Sequence, residues 1–175
     1  MDKNLITYSN RIRKYASQIL QKTRILNILS DFGKVETGGS YDLDLMYDPD
    51  IDICVISKNP RLSSIKALSK LIGLRLFQKY EYGDFEKFER KNRPKSFIIV
   101  LIFEYEGLKW EIEIWFLKKL DEREVQFQNK LKKSLNPKMR MRILERKKAR
   151  RTRGLTKHQL SSFDIYKSLL NTSNN

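Results

Sequence analysis

A chain of 175 residues falls within the size range of one domain, long enough to bury a core and short for two independent ones. Hydrophobic residues make up 40% and charged residues 33%, which excludes a disordered tail, and the longest apolar runs, such as 97–103, fall far short of the roughly 20 residues a membrane span needs. Cys54 is the single cysteine, so an internal disulfide and a Cys-based zinc site are both excluded, and its apolar surroundings suggest simple burial.

The N-terminus is polar and charged, with no apolar stretch or cleavage site of a secretory leader, so a cytoplasmic address is expected. From 10 to 29, apolar residues recur near helical spacing while Arg11, Arg13, Lys14, Gln21 and Lys22 occupy the other faces, which predicts an amphipathic helix. Gly33 is expected to end that segment as a left-handed cap. Residues 34–37 read as a short strand running into a Gly38-Gly39-Ser40 turn. After Pro49, the run Asp50-Ile51-Asp52-Ile53-Cys54-Val55-Ile56 has β-branched content and a period of two at its start, and predicts a half-buried strand. Asn59 and Pro60 break it, and Ile65, Leu68, Ile72 and Leu76 set a helix over 62–80.

Charged and aromatic residues alternate over 79–88, as an exposed strand or a loop bounded by Pro94. Two apolar runs, 95–105 and 108–117, flank Glu106-Gly107 and read as a hairpin within one sheet. Asp121 opens a helical stretch that Asn136-Pro137 interrupts, a basic helix follows over 138–153, and Gly154 ends it. Thr156 with Gln159 reads as the capping box of a last helix that buries Leu160, Phe163, Tyr166 and Leu170. The fold class is therefore α+β, a mixed sheet flanked by helices, divided into a core over 1–120 and a helical, strongly basic C-terminal region over 121–175 packed on it.

Much of the net charge of +15 is concentrated in that region: 131–157 holds twelve Lys or Arg against the single acid Glu145, a local charge of +11. Such a concentration points to an anionic partner, phosphate above all, or else to a solvated helix face. Lys87, Arg90, Lys91 and Arg93 form a smaller basic group, read as phosphate contacts or as surface solvation. His158, the lone histidine, reads as structural or exposed.

Asp50 and Asp52, two apart on a strand, leave the same face, while Ile51 and Ile53 enter the core. Two like charges about 4 Å apart repel by roughly 4 kcal/mol at an effective dielectric of 20, so a close carboxylate pair on a partly buried sheet asks for a cation. Magnesium suits oxygen ligands of this kind and is commonly held by one or two carboxylates together with substrate phosphates. Glu111 and Glu113 offer a third acid from a second strand, framed by Trp110, Ile112, Ile114 and Trp115. The Gly38-Gly39-Ser40 turn has the backbone amides and hydroxyl to cradle a phosphate.

Taken together, Gly38-Gly39-Ser40, nine residues, then Asp50-Ile51-Asp52-Ile53 resembles the signature of the DNA polymerase beta-like nucleotidyltransferase superfamily. The stretch 39–46 with Pro49-Asp50-Ile51-Asp52, and Trp110-Glu111-Ile112-Glu113-Ile114-Trp115, look like its small bacterial-type members. Their third acid is usually Asp just before the Ile-Trp pair; Glu113 stands there, a departure that leaves Glu111 as a possible substitute. The resemblance, which covers about 34–116, implies that Asp50, Asp52 and Glu113 hold two Mg2+ ions, or Mn2+ in their place. It also implies that Gly38, Gly39 and Ser40 bind the phosphates of a nucleoside triphosphate such as ATP. A nucleoside monophosphate then passes to an acceptor hydroxyl and pyrophosphate leaves. A small-molecule acceptor is expected first; the alternatives are an RNA end reached through 131–157, a protein side chain, or a non-catalytic nucleic-acid-binding protein on a degenerate transferase fold.

Overall fold

The computed structural model describes residues 3–88, 95–157 and 159–172. Two helices open the chain, α1 (Lys3–Thr23) and α2 (Ile25–Ser30), followed by β1 (Lys34–Thr37), the short α3 (Gly39–Asp42), β2 (Asp50–Ile56) and α4 (Pro60–Gly73). Then come β3 (Lys79–Asp84), β4 (Phe97–Tyr105) and β5 (Leu108–Leu117), and last the helices α5 (Glu122–Ser134), α6 (Pro137–Thr152) and α7 (Ser162–Thr172). Five strands form one mixed sheet in the order β1-β2-β5-β4-β3, with β2 and β5 parallel and every other neighbouring pair antiparallel. The fold is the expected α+β arrangement. Among the described residues no helix is long and apolar enough to cross a membrane.

Alternation decides which face of the sheet meets the core. Ile51, Ile53 and Val55 on β2, and Trp110, Ile112, Ile114 and Phe116 on β5, are fully buried on one side, against Ile12, Ala16 and Ile19 of α1, Ile25 and Leu29 of α2, and Ala67 and Leu71 of α4. Each intervening residue emerges on the other face, which is where Asp50, Asp52, Glu111 and Glu113 must appear. The hairpin between β4 and β5 is closed by Glu106 (φ 51°) and Gly107 (φ 69°), two left-handed residues in the turn that suits the twist of paired strands.

Local structure departs from expectation in several places. The opening helix starts at Lys3 and breaks at Arg24 (φ 51°), where the Thr23 hydroxyl donates back to the Ile19 carbonyl at 2.8 Å and accepts from the Ile25 N–H at 3.4 Å. Gly33 is no left-handed cap: a Cβ there would run into the Ile56 carbonyl, so glycine lets two backbones approach. The helix expected over 62–80 ends at Gly73, Arg75 turns the chain with φ 55°, and Lys79 already belongs to an edge strand. Of its expected apolar stripe only Leu68 packs against the core; Ile65, Ile72 and Leu76, like Leu62, are each about half exposed (47–52%), while Ser64, Ala67 and Leu71 face inwards. The last helix is capped by Ser161 and Asp164, whose side chains bond each other's backbone N–H at 3.1 and 3.0 Å; Thr156 and Gln159 close a separate turn before it, and Phe163 is exposed.

The basic helices are built into the rest of the molecule. Leu43 and Leu45, just after α3, share a hydrophobic cluster with Leu131, Met139, Ile143, Ile165, Tyr166, Leu169 and Leu170, and Leu5 of α1 packs with Met141 and Leu144 of α6. Asn136 caps α6 by accepting the Met139 N–H at 2.9 Å, with Pro137 in the first helical position, where its missing N–H costs nothing. Shortening the fully buried Ile143 to alanine should cost about 2–5 kcal/mol. Urea unfolding followed by far-ultraviolet dichroism and by tryptophan emission should register that loss in one shared transition; two separate transitions would show α5–α7 to be an independent unit.

Candidate active site

Parallel pairing sets the acids side by side, with Asp50 opposite Glu111 and Asp52 opposite Glu113. Partners on adjacent strands share a face and lie about 4.8 Å apart along the hydrogen-bonding direction, so four carboxyl groups occupy one small patch. The electrostatic strain is visible at Glu113, whose carboxyl is pushed up to about 8 by burial, then by the charge of Asp52 and by the hydrogen bond and charge of Glu111. Lys157 answers it from the link between α6 and α7, its ammonium 2.8 Å from Asp50 Oδ2. Burial alone would lower the pKa of Lys157, but the charge and hydrogen bond of Asp50, followed by Glu111 and Glu113, outweigh it and hold the ammonium above its ordinary range. Cys54, also on this strand, is half-buried, and burial followed by the Asp52 charge pushes its thiol up to about 12, far from a reactive thiolate.

The glycine turn lies against Asp52. The Gly38 N–H donates to the Asp52 carbonyl at 3.0 Å, extending the β1–β2 ladder by one bond. Gly39 then takes φ +60° and presses its α-carbon on the Asp52 carboxylate, so that a Cβ would overlap it. Both constraints select glycine, one by backbone conformation and one by space. Thr37 fixes the far side of the turn by donating to Asp42 Oδ1 at 2.7 Å.

Ser40 points the other way. Its hydroxyl is buried, accepts from Lys147 Nζ at 2.6 Å and bonds the Tyr166 hydroxyl at 3.0 Å. Lys147, 1% exposed, also donates to the Leu45 carbonyl at 2.8 Å and lies 5.2 Å from the centre of the Tyr166 ring. The Ser40 side chain is thus committed within the protein, and so are the Gly38 N–H, to Asp52, and the Gly39 and Ser40 carbonyls, to the N–H groups of Leu43 and Leu45. Arg150, 2% exposed, pairs with Asp48, two residues before Asp50, and donates to the Leu160 carbonyl at 3.0 Å. Arg140 holds Asp44 through its carbonyl (2.9 Å) and its carboxylate (3.2 Å).

Lys147, Arg150 and Lys157 are the site residues that sequence reasoning missed. A signal for the first two existed: Met139, Ile143, Lys147 and Arg150 fall at i, i+4, i+8 and i+11, the inner face of α6. Arg90, Lys91, Arg93 and His158 lie outside the described residues. Surface clefts of about 290 and 440 Å³ lie along α6, lined by Lys148 and Arg153 in one case and Asp44 and Arg140 in the other, away from the four carboxylates.

Among the described residues no three His, Cys, Asp or Glu side chains converge as a ready-made metal cage. The donors fit a hard divalent cation nonetheless: all are carboxylate oxygens, and a cation, the Lys157 ammonium, already stands at Asp50. The Glu113 shift has a definite sign in stability. Its folded value near 8 exceeds the ordinary 4.5, so its stabilising contribution is whole below about pH 4.5 and is lost as pH rises through 8. Melting temperatures measured without metal should therefore show Glu113→Gln gaining on wild type from pH 5 to pH 8; a difference constant across that window would refute the perturbed carboxyl.

No family model matches the sequence, and no curated protein sequence matches it. Among solved structures the chain is similar to one described as "Structure and function of the polymerase core of TRAMP, a RNA surveillance complex", with a TM-score of 0.61 and 18% identity over 95% of this chain and 55% of that one. The chain thus spans about half the length of that neighbour. At this identity the likeness is one of architecture: an α+β chain with a five-stranded mixed sheet that folds as a polymerase core does.

Proposed function

We propose that this chain is a metal-dependent nucleotidyltransferase of the DNA polymerase beta-like superfamily, moving a nucleoside monophosphate from a nucleoside triphosphate to an acceptor hydroxyl. The observation that carries the reading is the parallel register that faces Asp50 and Asp52 with Glu111 and Glu113, beneath a glycine turn with no room for a side chain over Asp52. The polymerase-core fold supports it independently. Asp50, Asp52 and Glu113 would hold Mg2+, which when bound neutralises charge on the attacking and leaving oxygens of an in-line displacement. The acceptor oxygen forms a bond to the α-phosphorus, the bond from that phosphorus to the bridging oxygen breaks, and pyrophosphate departs with the electron pair. Glu113, ionised beside a bound cation, would accept the proton of the attacking hydroxyl. The glycine turn, bare of side chains over Asp52, would let the triphosphate approach the acids, and positioning with charge neutralisation is most of what such a transfer requires.

Calorimetric titration of ATP, GTP, CTP and UTP with Mg2+ should show one nucleotide binding, and the Asp50→Asn, Asp52→Asn double variant should lose that binding and all turnover while keeping its melting transition. Retained turnover in the double variant would falsify the mechanism.

A small-molecule hydroxyl is the acceptor we put first. A second reading, an RNA end, is favoured by the outer face of α6. Lys138, Arg142 and Arg146 are exposed and fall within about 80° of arc on the side away from the buried Lys147, and exposed Arg153 follows just past the helix end. The neighbouring structure's own place in RNA surveillance agrees with that reading. Four phosphate contacts give a log–log salt slope near −3 on a single strand, so replacing Arg142 and Arg146 with glutamine should flatten the slope of binding to a single-stranded RNA by about 1.4. An unchanged slope, or no RNA binding at all, leaves the small-molecule acceptor.

A further inference from the structure

The link from α6 to α7 is fastened at both ends by one side chain's residue. Gly154 turns the chain with φ +69°, the Leu155 N–H bonds the Arg150 carbonyl at 3.1 Å, and the buried Arg150 guanidinium clamps the Leu160 carbonyl at 3.0 Å while pairing with Asp48. Asp48 lies two residues from the start of β2 at Asp50, so the link is registered to the strand that bears the acids. From the middle of it Lys157 extends to Asp50 Oδ2 at 2.8 Å, close enough to Glu111 and Glu113 for their charges to act on it. The Lys157 side chain is 36% exposed and the Asp50 side chain 16%, so the ammonium enters the acid patch from the solvent side. Its neighbours in the link are held by hydrogen bonds, and a flexible four-carbon stem separates its ammonium from the backbone.

We propose that Lys157 is the resident counter-cation of the carboxylate centre: it holds Asp50 in the absence of a divalent ion and yields that position when one binds. This inference rests on the reading of Asp50, Asp52 and Glu113 as a metal site. An ammonium brings one charge and no fixed coordination geometry, whereas a divalent ion brings two and draws several carboxylates to itself, so the exchange is possible and costs the metal part of its affinity. A lysine that only fastened the link would leave metal affinity unaltered. A competing cation lowers it.

The test is Mn2+ titrated alone into the full chain by calorimetry, with melting temperatures recorded in chelator and in saturating Mg2+. Lys157→Met and Lys157→Gln, the second keeping a hydrogen-bond donor without charge, should each bind Mn2+ about tenfold more tightly than wild type. Lys157→Arg, which keeps the cation, should stay within about threefold of wild type. In chelator the two neutral variants should melt about 2–4 °C lower, the shift that about 1 kcal/mol produces in a chain of this size, and Mg2+ should restore them at least to wild type. Equal Mn2+ affinity in wild type and both neutral variants overturns the counter-cation role alone. Mn2+ binding to none of the proteins overturns the metal site and this inference together.

Discussion

Repulsion among four carboxyl groups on one face of two parallel strands is the constraint around which the molecule is arranged. Because β2 and β5 pair in register, Asp50, Asp52, Glu111 and Glu113 cannot separate without breaking the centre of the sheet, whose other face is the fully buried core of Ile51, Ile53, Ile112 and Ile114. Hydrophobic burial therefore enforces an unfavourable electrostatic arrangement, a state that persists only where the surroundings over-determine it. The raised carboxyl of Glu113 and the ammonium on Asp50 are the two responses the fold makes, one by taking up a proton and one by supplying a charge.

The basic helices give a second meaning to the positive charge. Lys147 ties the glycine turn to α7 through Ser40 and Tyr166, Arg150 ties Asp48 to the link, Arg140 ties Asp44 to α6, and Lys157 reaches the acids. The three on α6 are drawn onto the stretch from the turn to β2, so what looks in sequence like a uniform polyanion-binding run is divided by helical phase. One side organises the site, and the other, with Lys138, Arg142, Arg146 and Arg153, faces solvent. Removing a buried member such as Lys147 would leave the Leu45 carbonyl without that donor and the Ser40 hydroxyl with Tyr166 alone, a larger loss than removing any exposed one.

Features set by neighbours in sequence were readable from it: the alternation of β2 and β5, the left-handed pair closing the β4–β5 hairpin, and the Asn136-Pro137 start of α6. Long-range choices were not. Nothing near Ser40 announces that a lysine 107 positions later will claim its hydroxyl, and nothing near Asp50 announces Lys157. Periodicity failed on α4 for a different reason. A helix can carry apolar groups on two sides, with Ser64, Ala67 and Leu71 against the core and Leu62, Ile65 and Ile72 outside, and spacing alone does not say which stripe is inner.

That outer stripe of α4 bears on how the molecule behaves in solution. Leu62, Ile65 and Ile72 on α4, with Leu76 just beyond it, leave apolar surface exposed, and two molecules would gain by covering it against each other. A net charge of +15 opposes the encounter through mutual repulsion, and that repulsion reaches only about 10 Å at 0.1 M salt and about 3 Å at 1 M. Colloidal stability thus comes from the net positive charge, and concentrated salt withdraws it while strengthening the attraction it had masked.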